Sequence, residues 1–250
     1  MFNNFFNKNK TSKVSGSDNA AEVQQQQFTR MISMAQDILK NSDEHTPSKE
    51  YKHPIFNFIK LLGMKMQTDY LTYLLYADDY GETRKYPDIT PWHTFFDISA
   101  VLTLDGKKFY DILFGNKLET QFKVDLTEDL VLPWPWNVDR YVTSITSIGS
   151  SRPWGEWEED SNHRVDMYLP LGICFVRGGN HSITSGIISG KGTVTTSKVY
   201  DISLVYDYVY TDGIYYRRTA DNSIISSVQF IEFAVIFEIG RMLRERKISR

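Results

Sequence analysis

The residues best suited to chemistry in this sequence form the run Gly178-Gly179-Asn180-His181-Ser182, here named the glycine turn. A strand that turns on two glycines directly into a helix leaves backbone N–H groups exposed at the positive end of the helix dipole, which suits an anion such as phosphate. We expect the two glycines to allow close backbone approach and Asn180 to cap the helix. His181 and Ser182 then face the same anion. The alternative is a tight turn that serves only the fold.

An acidic loop, residues 152–164, comes immediately before the strand that leads to the glycine turn. It contains two tryptophans, four carboxylates, one histidine and two arginines. Glu156 or Glu158 is the expected general base, or a ligand of Mg²⁺, which binds one or two carboxylates while substrate phosphates fill its other positions. His181 joins them as a catalytic candidate. The alternative is an ordinary solvated surface loop.

A segment rich in proline and tryptophan, residues 132–149, is the third candidate. Its prolines prevent regular pairing up to Trp136, and Asn137 or Asp139 then caps a short helix that carries Arg140 in its first turn. The apolar residues of that helix recur every three positions, at Val142, Ile145 and Ile148. Its tryptophans suit a core position and a ligand-facing position equally well.

The order of these features resembles the ParB/sulfiredoxin-like superfamily over residues 125–210. Its members end a strand on Gly-X-His-Arg, or on Gly-Gly-Cys-His-Arg in sulfiredoxin, and hold nucleotide phosphates on that turn. The resemblance places Gly178, Gly179 and His181 on the phosphate-binding turn and Arg140 on a basic position after the first conserved segment. It implies a mixed sheet and a nucleoside triphosphate ligand, CTP or ATP, with Mg²⁺.

Two positions depart from that pattern. Asn180 replaces the sulfiredoxin cysteine, which argues against sulfinic-acid reduction. Ser182 replaces the closing arginine and so removes a bidentate phosphate clamp, for which Arg177 or Lys191 is the expected substitute. The whole chain is also similar to a bacterial family of unknown function, which brings no activity with it.

Four interpretations of the function follow. The first is a nucleotide-binding protein that hydrolyses or transfers a phosphate with Mg²⁺, as a nucleoside triphosphatase or phosphotransferase. The second is a catalytically inactive sensing or interaction module of a bacterial defence or mobile-element system. The third is a ParB-like nuclease. The fourth is a glycine turn with a purely structural role.

Composition restricts the partners. The 250 residues carry a net charge of -3 and have a pI near 6.0, without the basic excess of nucleic-acid-binding proteins. Cys174 is the single cysteine and is expected to be a small buried hydrophobe. The first residues are too polar for a signal peptide, which favours a cytoplasmic location. A small-molecule nucleotide is the expected ligand, and a protein partner or a homo-oligomer stays open.

The predicted fold class is α+β. Residues 1–19 are predicted to be disordered, residues 20–90 to form a helical segment, and residues 91–250 to form the α+β domain. Two N-terminal helices, over about 20–40 and 55–77, form a lid or flanking layer, and Asp78 and Asp79 mark the second helix end. Short strands are expected over 97–104, 109–114, 121–126, 202–210 and 214–218, the last two joined by a turn at residues 211–213. Residues 224–246 read as a buried helix rather than a membrane span, because charged residues interrupt it.

Overall fold

The computed structural model of the protein describes residues 16–43, 52–75 and 88–250. Residues 1–15 of the predicted disordered segment, and the acidic pair Asp78 and Asp79, lie outside these ranges. Eight helices are present in the described ranges: α1 (Gly16–Asp43), α2 (Ile55–Tyr73), α3 (Pro91–Thr94), α4 (Phe109–Gly115), α5 (Val138–Ser147), α6 (Asn180–Ser189), α7 (Val205–Tyr208) and α8 (Ile231–Arg246).

Ten strands, all short, form three sheets among the same residues. They are β1 (Lys117–Leu118), β2 (Lys123–Asp125), β3 (Val131–Leu132), β4 (Arg164–Leu169), β5 (Ile173–Gly178), β6 (Thr193–Thr195), β7 (Lys198–Asp201), β8 (Val209–Thr211), β9 (Tyr215–Arg218) and β10 (Ile224–Ser227). The mixture of helices and sheets confirms the predicted α+β class.

The central sheet has five strands in the order β1-β7-β4-β5-β3. Its strands are mixed in direction: β4 runs antiparallel to β5 but parallel to β7, and β3 runs parallel to β5. The register sets Arg164 opposite Gly178, with an irregularity in β4 directly after Arg164. The central pair β4–β5 therefore brings the end of the acidic loop beside the glycine turn.

Both faces of the central sheet are buried, because successive side chains of a strand point to opposite sides. Val165 and Met167 of β4 belong to a smaller core, together with Trp157 of the acidic loop. Tyr168 of β4 and Phe175 of β5 belong to a larger core on the other face. Cys174 is fully buried in the smaller core, as predicted.

The N-terminal helices form a flanking layer. α1 and α2 pack against α8 and against each other, and all three helices contribute to the larger core. Their fully buried side chains include Leu39 of α1, Ile55 of α2 and Phe237 of α8. Within the described residues, no helix has both the length and the apolar character that a membrane crossing requires.

Four predicted elements are wrong in type or extent. No strand forms over residues 97–104, where Val101 makes only an isolated bridge to Lys108, and the strand predicted over residues 202–210 contains α7. The strand predicted over residues 109–114 is instead α4, where the Asp111 carboxylate accepts a hydrogen bond from the Lys108 N–H at 2.8 Å. The predicted helix start at Ile224 is wrong as well. Residues 224–227 form β10, which pairs antiparallel with β9, and the helix begins only at Ile231.

Candidate functional site

The glycine turn adopts the predicted strand-to-helix geometry. β5 ends at Gly178, Gly179 has a φ of 74°, and α6 begins at Asn180. A Cβ on Gly178 would lie 2.6 Å from the Asn162 carbonyl oxygen, and a Cβ on Gly179 would collide with the His163 ring. Glycine is therefore required at both positions, at Gly178 for space and at Gly179 for space and for its left-handed backbone.

The first amides of α6 are free to bind a ligand. Within the described chain, the N–H groups of Asn180, His181 and Ser182 have no hydrogen-bond acceptor, and the first helical bond runs from the Ile183 N–H to the Gly179 carbonyl at 2.9 Å. These unpaired donors lie at the positive end of a ten-residue helix. An anion that binds to them gains both hydrogen bonds and the favourable end of the helix dipole.

A cleft borders these amides, with a volume of about 540 Å³. On one side of the cleft lies the segment rich in proline and tryptophan, residues 132–149, here named the Pro-Trp segment, which includes α5. On the other side lies the end of the acidic loop. The residues that line it are Trp134, Trp136, Arg140, Thr143, Ser144, Trp154, Asp160, Asn162, Arg164, Arg177, Gly178, Gly179, Asn180, His181 and Ser182. The structure therefore brings the glycine turn, Arg140 and Arg177 together at one cleft.

Three arginines from three different elements reach the cleft: Arg140 of α5, Arg164 at the start of β4 and Arg177 near the end of β5. In the described part of the chain, no carboxylate forms an ion pair with any of them. The Arg177 guanidinium lies over the Trp92 ring, 5.2 Å from its centroid. Burial raises the pKa of the Asp166 carboxyl, on which the charges of Lys198, Arg177 and Arg164 act in the opposite direction. The arginines of the cleft therefore outnumber the carboxylates near them.

His181 lines the cleft as a neutral donor. The Asn137 N–H donates to His181 Nε2 at 3.3 Å, so the proton of the neutral ring lies on Nδ1, for which no described residue is an acceptor. Burial, and next to it the charge of Arg140, lowers the pKa of His181 below its usual range. At neutral pH His181 therefore offers one N–H to a ligand and no charge.

Ser182 is held by a second histidine, His163. The Asp160 N–H donates to His163 Nδ1 at 2.8 Å, which places the ring proton on Nε2, 2.6 Å from Ser182 Oγ. Ser182 Oγ in turn donates to the Gly179 carbonyl at 3.1 Å. His163 therefore donates to the serine in this arrangement and cannot accept its proton as a general base.

Trp157 also holds His163 and Ser182 in place. Its ring stacks on His163 with centroids 4.8 Å apart, and its Nε1–H donates to the Ser182 carbonyl at 2.8 Å. Burial lowers the pKa of His163 and keeps the ring neutral. The network fixes the shape of the glycine turn from the side of the acidic loop.

Asn180 does not cap the helix, which corrects the prediction. Gly179 occupies the cap position, and the Asn180 side chain accepts a hydrogen bond from the Trp134 N–H at 2.8 Å. The Trp134 ring donates to the Val176 carbonyl at 3.0 Å. Asn180 thereby attaches the Pro-Trp segment to the glycine turn.

α5 begins as predicted, with Asn137 as its cap: the Asn137 side chain accepts from the Arg140 N–H at 2.8 Å. The predicted apolar face is partly wrong, because Val142 is exposed and the helix buries Tyr141 and Ser144 instead. The capped first turn places Arg140 at the cleft.

The two predicted carboxylates lie elsewhere. Glu156 pairs with Lys191 at 3.0 Å, and neither Glu156 nor Glu158 lines the cleft. Lys191 is thereby also directed away from the turn. Asp160 is the carboxylate of the acidic loop that the cleft contains. Among the described residues there is no group of three or more acidic, histidine or cysteine side chains arranged for a metal ion.

Sequence reasoning missed Arg164 and His163 as site residues. Both lie in the acidic loop, but neither belongs to a recognisable motif. Their positions follow from the pairing of Arg164 with Gly178 across β4 and β5. An arginine and a histidine directly before a strand that pairs with a glycine-ended strand are the only signal that the sequence offers.

Comparison with known proteins gives a family without an activity. A family model described as a family of unknown function (DUF6710) matches residues 8–250. No curated protein and no solved structure matches the chain. The resemblance to ParB/sulfiredoxin-like proteins therefore stays a prediction.

Proposed function

Because the chain belongs to this family of unknown function, DUF6710, we propose a function from the cleft itself: it binds a nucleotide through the phosphate groups. One observation carries the proposal. The residues with unpaired amides at the start of α6 line the same cleft as Arg140, Arg164 and Arg177, none of which forms an ion pair with a carboxylate in the described chain. The resemblance of the turn to ParB/sulfiredoxin-like proteins supports the same ligand.

The phosphate end of the ligand lies against the glycine turn in this proposal. Backbone N–H groups and the His181 Nδ1–H supply neutral donors, and the arginines supply charged, planar donors that match phosphate oxygens. Each charge-assisted hydrogen bond contributes about 1.5–3 kcal/mol. A ligand with more than one phosphate group uses more of these donors than inorganic phosphate does.

The aromatic side chains of the cleft provide a place for the base. Trp136 and Trp154 line the cleft and are 40% and 63% exposed. Large exposed indole rings beside a phosphate site suit stacking with a nucleobase, which contributes about 1–3 kcal/mol per base. The cleft volume of about 540 Å³ falls in the usual range for small-molecule sites, roughly 300–1,000 Å³.

Two interpretations of a nucleotide-binding cleft are an enzyme that transfers phosphate and a catalytically inactive sensing module. The side-chain positions favour the second, which binds without turnover. Hydrolysis or phosphotransfer needs a general base near the phosphate, but Glu156 and Glu158, the predicted bases, lie outside the cleft. Within the cleft, Asp160 already accepts the Asn162 N–H, and Ser182 Oγ is bonded to His163 and to the Gly179 carbonyl. We therefore propose a nucleotide-sensing module whose bound state is transmitted to a protein partner.

Isothermal titration calorimetry with ATP, CTP and GTP, each in EDTA and in excess Mg²⁺, tests the proposal. At least one nucleotide is expected to bind in one of the two conditions. The double variant Arg140→Gln/Arg164→Gln should bind it at least about tenfold more weakly, since it loses charge-assisted bonds. Lys198→Gln is the matched control, because Lys198 is an exposed cation of the same sheet that does not line the cleft.

Two results would contradict the proposal. One is the absence of binding heat for every nucleotide in both conditions. The other is an equal loss of affinity in Lys198→Gln, which would mean that net charge rather than the cleft governs the interaction.

A further inference from the structure

We infer that the cleft takes its polyphosphate ligand as the free anion and not as the Mg²⁺ complex, an inference that rests on the proposed function. The ParB/sulfiredoxin-like resemblance implies a magnesium nucleotide. The lining of the cleft, three arginines with one carboxylate, favours the free anion instead.

The first argument concerns the ligands that magnesium needs. Mg²⁺ requires octahedral oxygen coordination and is normally held in proteins by one or two carboxylates together with substrate phosphates. Asp160 is the carboxylate that lines the cleft, and its Oδ1 already accepts the Asn162 N–H at 2.7 Å. The same oxygen lies 3.6 Å from His163 Nδ1.

The other carboxylates of the acidic loop are fixed away from the cleft. Glu156 pairs with Lys191, and Glu159 accepts the Thr195 N–H at 2.8 Å on β6. Glu158 is exposed and does not line the cleft. A magnesium ion on the ligand would thus gain at most one protein carboxylate.

The second argument concerns charge. Arg140, Arg164 and Arg177 line the cleft together with the carboxylate of Asp160, and the buried Asp166 carboxyl lies within electrostatic range of Arg164 and Arg177. Magnesium on a nucleotide removes two of the negative charges that the arginines attract, and it introduces a cation beside them. The metal therefore weakens the principal attraction of the site and gains at most the Asp160 carboxylate in return.

The third argument concerns the neutral donors. The N–H groups of Asn180, His181 and Ser182 have no acceptor in the described chain. They bind phosphate oxygens whose lone pairs are free, and a metal ion occupies some of those oxygens. Charge and hydrogen bonding thus both favour the polyphosphate without bound Mg²⁺.

The test is calorimetric titration of the full chain with ATP and with CTP at constant ionic strength, once in EDTA and once with Mg²⁺ in excess over nucleotide. We expect the affinity in EDTA to be about threefold or more higher than with Mg²⁺, because the free nucleotide carries the larger charge. An equal affinity in the two conditions overturns the inference, because the Mg²⁺ complex then binds as well as the free anion. Tighter binding in Mg²⁺ overturns the inference and leaves the proposed function intact.

Two variants separate the causes. Asp160→Asn should tighten nucleotide binding in EDTA, since it removes the carboxylate that opposes the ligand. Arg164→Gln should reduce the preference for the free nucleotide, since it removes one of the charges that create it. A loss of affinity in Asp160→Asn that is confined to Mg²⁺ would identify Asp160 as a metal ligand and overturn the inference. Absence of binding in both conditions would instead overturn the proposed function.

Discussion

At the scale of single residues, two histidines on either side of the glycine turn hold their protons on opposite ring nitrogens. His181 accepts a backbone N–H at Nε2 and presents Nδ1–H, whereas His163 accepts at Nδ1 and presents Nε2–H to Ser182. The first proton is available to a ligand, and the second is used within the protein. The two residues therefore have separable roles in binding and in stability.

Replacing His181 with phenylalanine tests the first role. His181→Phe keeps a ring against Trp136, whose centroid lies 4.8 Å from that of His181, but it removes the free N–H. We expect nucleotide affinity to fall by about tenfold, the loss expected for one strong hydrogen bond. Calorimetry measures the affinity, and circular dichroism verifies the fold. Unchanged affinity in a folded variant would remove His181 from the site.

The pH dependence of stability tests the second role. Burial lowers the pKa of His163 in the folded protein from the ordinary 6.5, so the unfolded chain takes up the proton first as the pH falls. The stabilising effect is fully present above pH 6.5 and is lost as the pH falls through the folded pKa. Urea unfolding of wild type and His163→Gln from pH 8 to pH 5 measures it. The variant should show the shallower decline, and parallel curves would contradict the assignment.

At the scale of elements, the sequence predicted the parts whose signals are local. Two adjacent glycines after an apolar run identified the turn from β5 to α6, and Asn137 identified the start of α5. The prediction failed where pairing with another strand decides whether a segment is a helix or a strand. Ile224 continues the helical spacing of α8, yet it lies in β10 because β9 provides a partner strand. Aromatic residues in α4 suggested a strand, although Phe109, Ile112 and Leu113 have the three- and four-residue spacing of a buried helix face.

The two ends of α6 allow a matched comparison of glycines. Gly179 and Gly190 both have left-handed backbones, with φ of 74° and 66°, but only Gly190 has open space where a Cβ would lie. We expect Gly190→Ala to lower the free energy of unfolding by about 1–2 kcal/mol, from backbone conformation alone. Gly179→Ala should cost about 1–3 kcal/mol more, because its Cβ meets the His163 ring.

Urea unfolding measures both variants, and calorimetry measures their affinity for nucleotide. Gly179→Ala should also lose binding, because the N–H groups of α6 shift with the turn, whereas Gly190→Ala should retain it. Equal destabilisation by the two substitutions would show that the packing of His163 on the turn is unimportant.

At the scale of the whole molecule, the candidate site depends on sheet order that no local pattern contains. Arg140, Arg164 and Arg177 lie far apart in the sequence and meet only because β4 pairs with β5 while the Pro-Trp segment is bonded to Asn180. The sequence therefore indicated Arg140 and Arg177 through their proximity to motifs, whereas the one signal for Arg164, its place at the start of a strand, gains meaning only once β4 is known to pair with β5. The α+β class was predictable from composition and periodicity, whereas the strand order was not.

A buried ion cluster connects the chain after α8 to the segment between β2 and β3. The Asp129 carboxylate, with 3% of its side chain exposed, pairs with Arg250 and, at 2.6 Å, with Lys52. Arg250→Ala should lower the free energy of unfolding by about 1–3 kcal/mol, because a buried acceptor loses one of its partners. Urea unfolding measures the loss. Lys107→Ala, which removes an exposed cation, is the control, and an equal effect of the two changes would argue against the cluster.

The stacking of Arg177 on Trp92 has a consequence for the energetics of recognition. The Arg177 guanidinium lies over an indole ring that does not itself line the cleft, so this contact restricts the side chain before any ligand binds. Immobilising a free arginine on association costs about 0.5–1.5 kcal/mol. Because folding already restricts Arg177, less of this cost falls on ligand binding. Trp92 therefore contributes to affinity without touching the ligand.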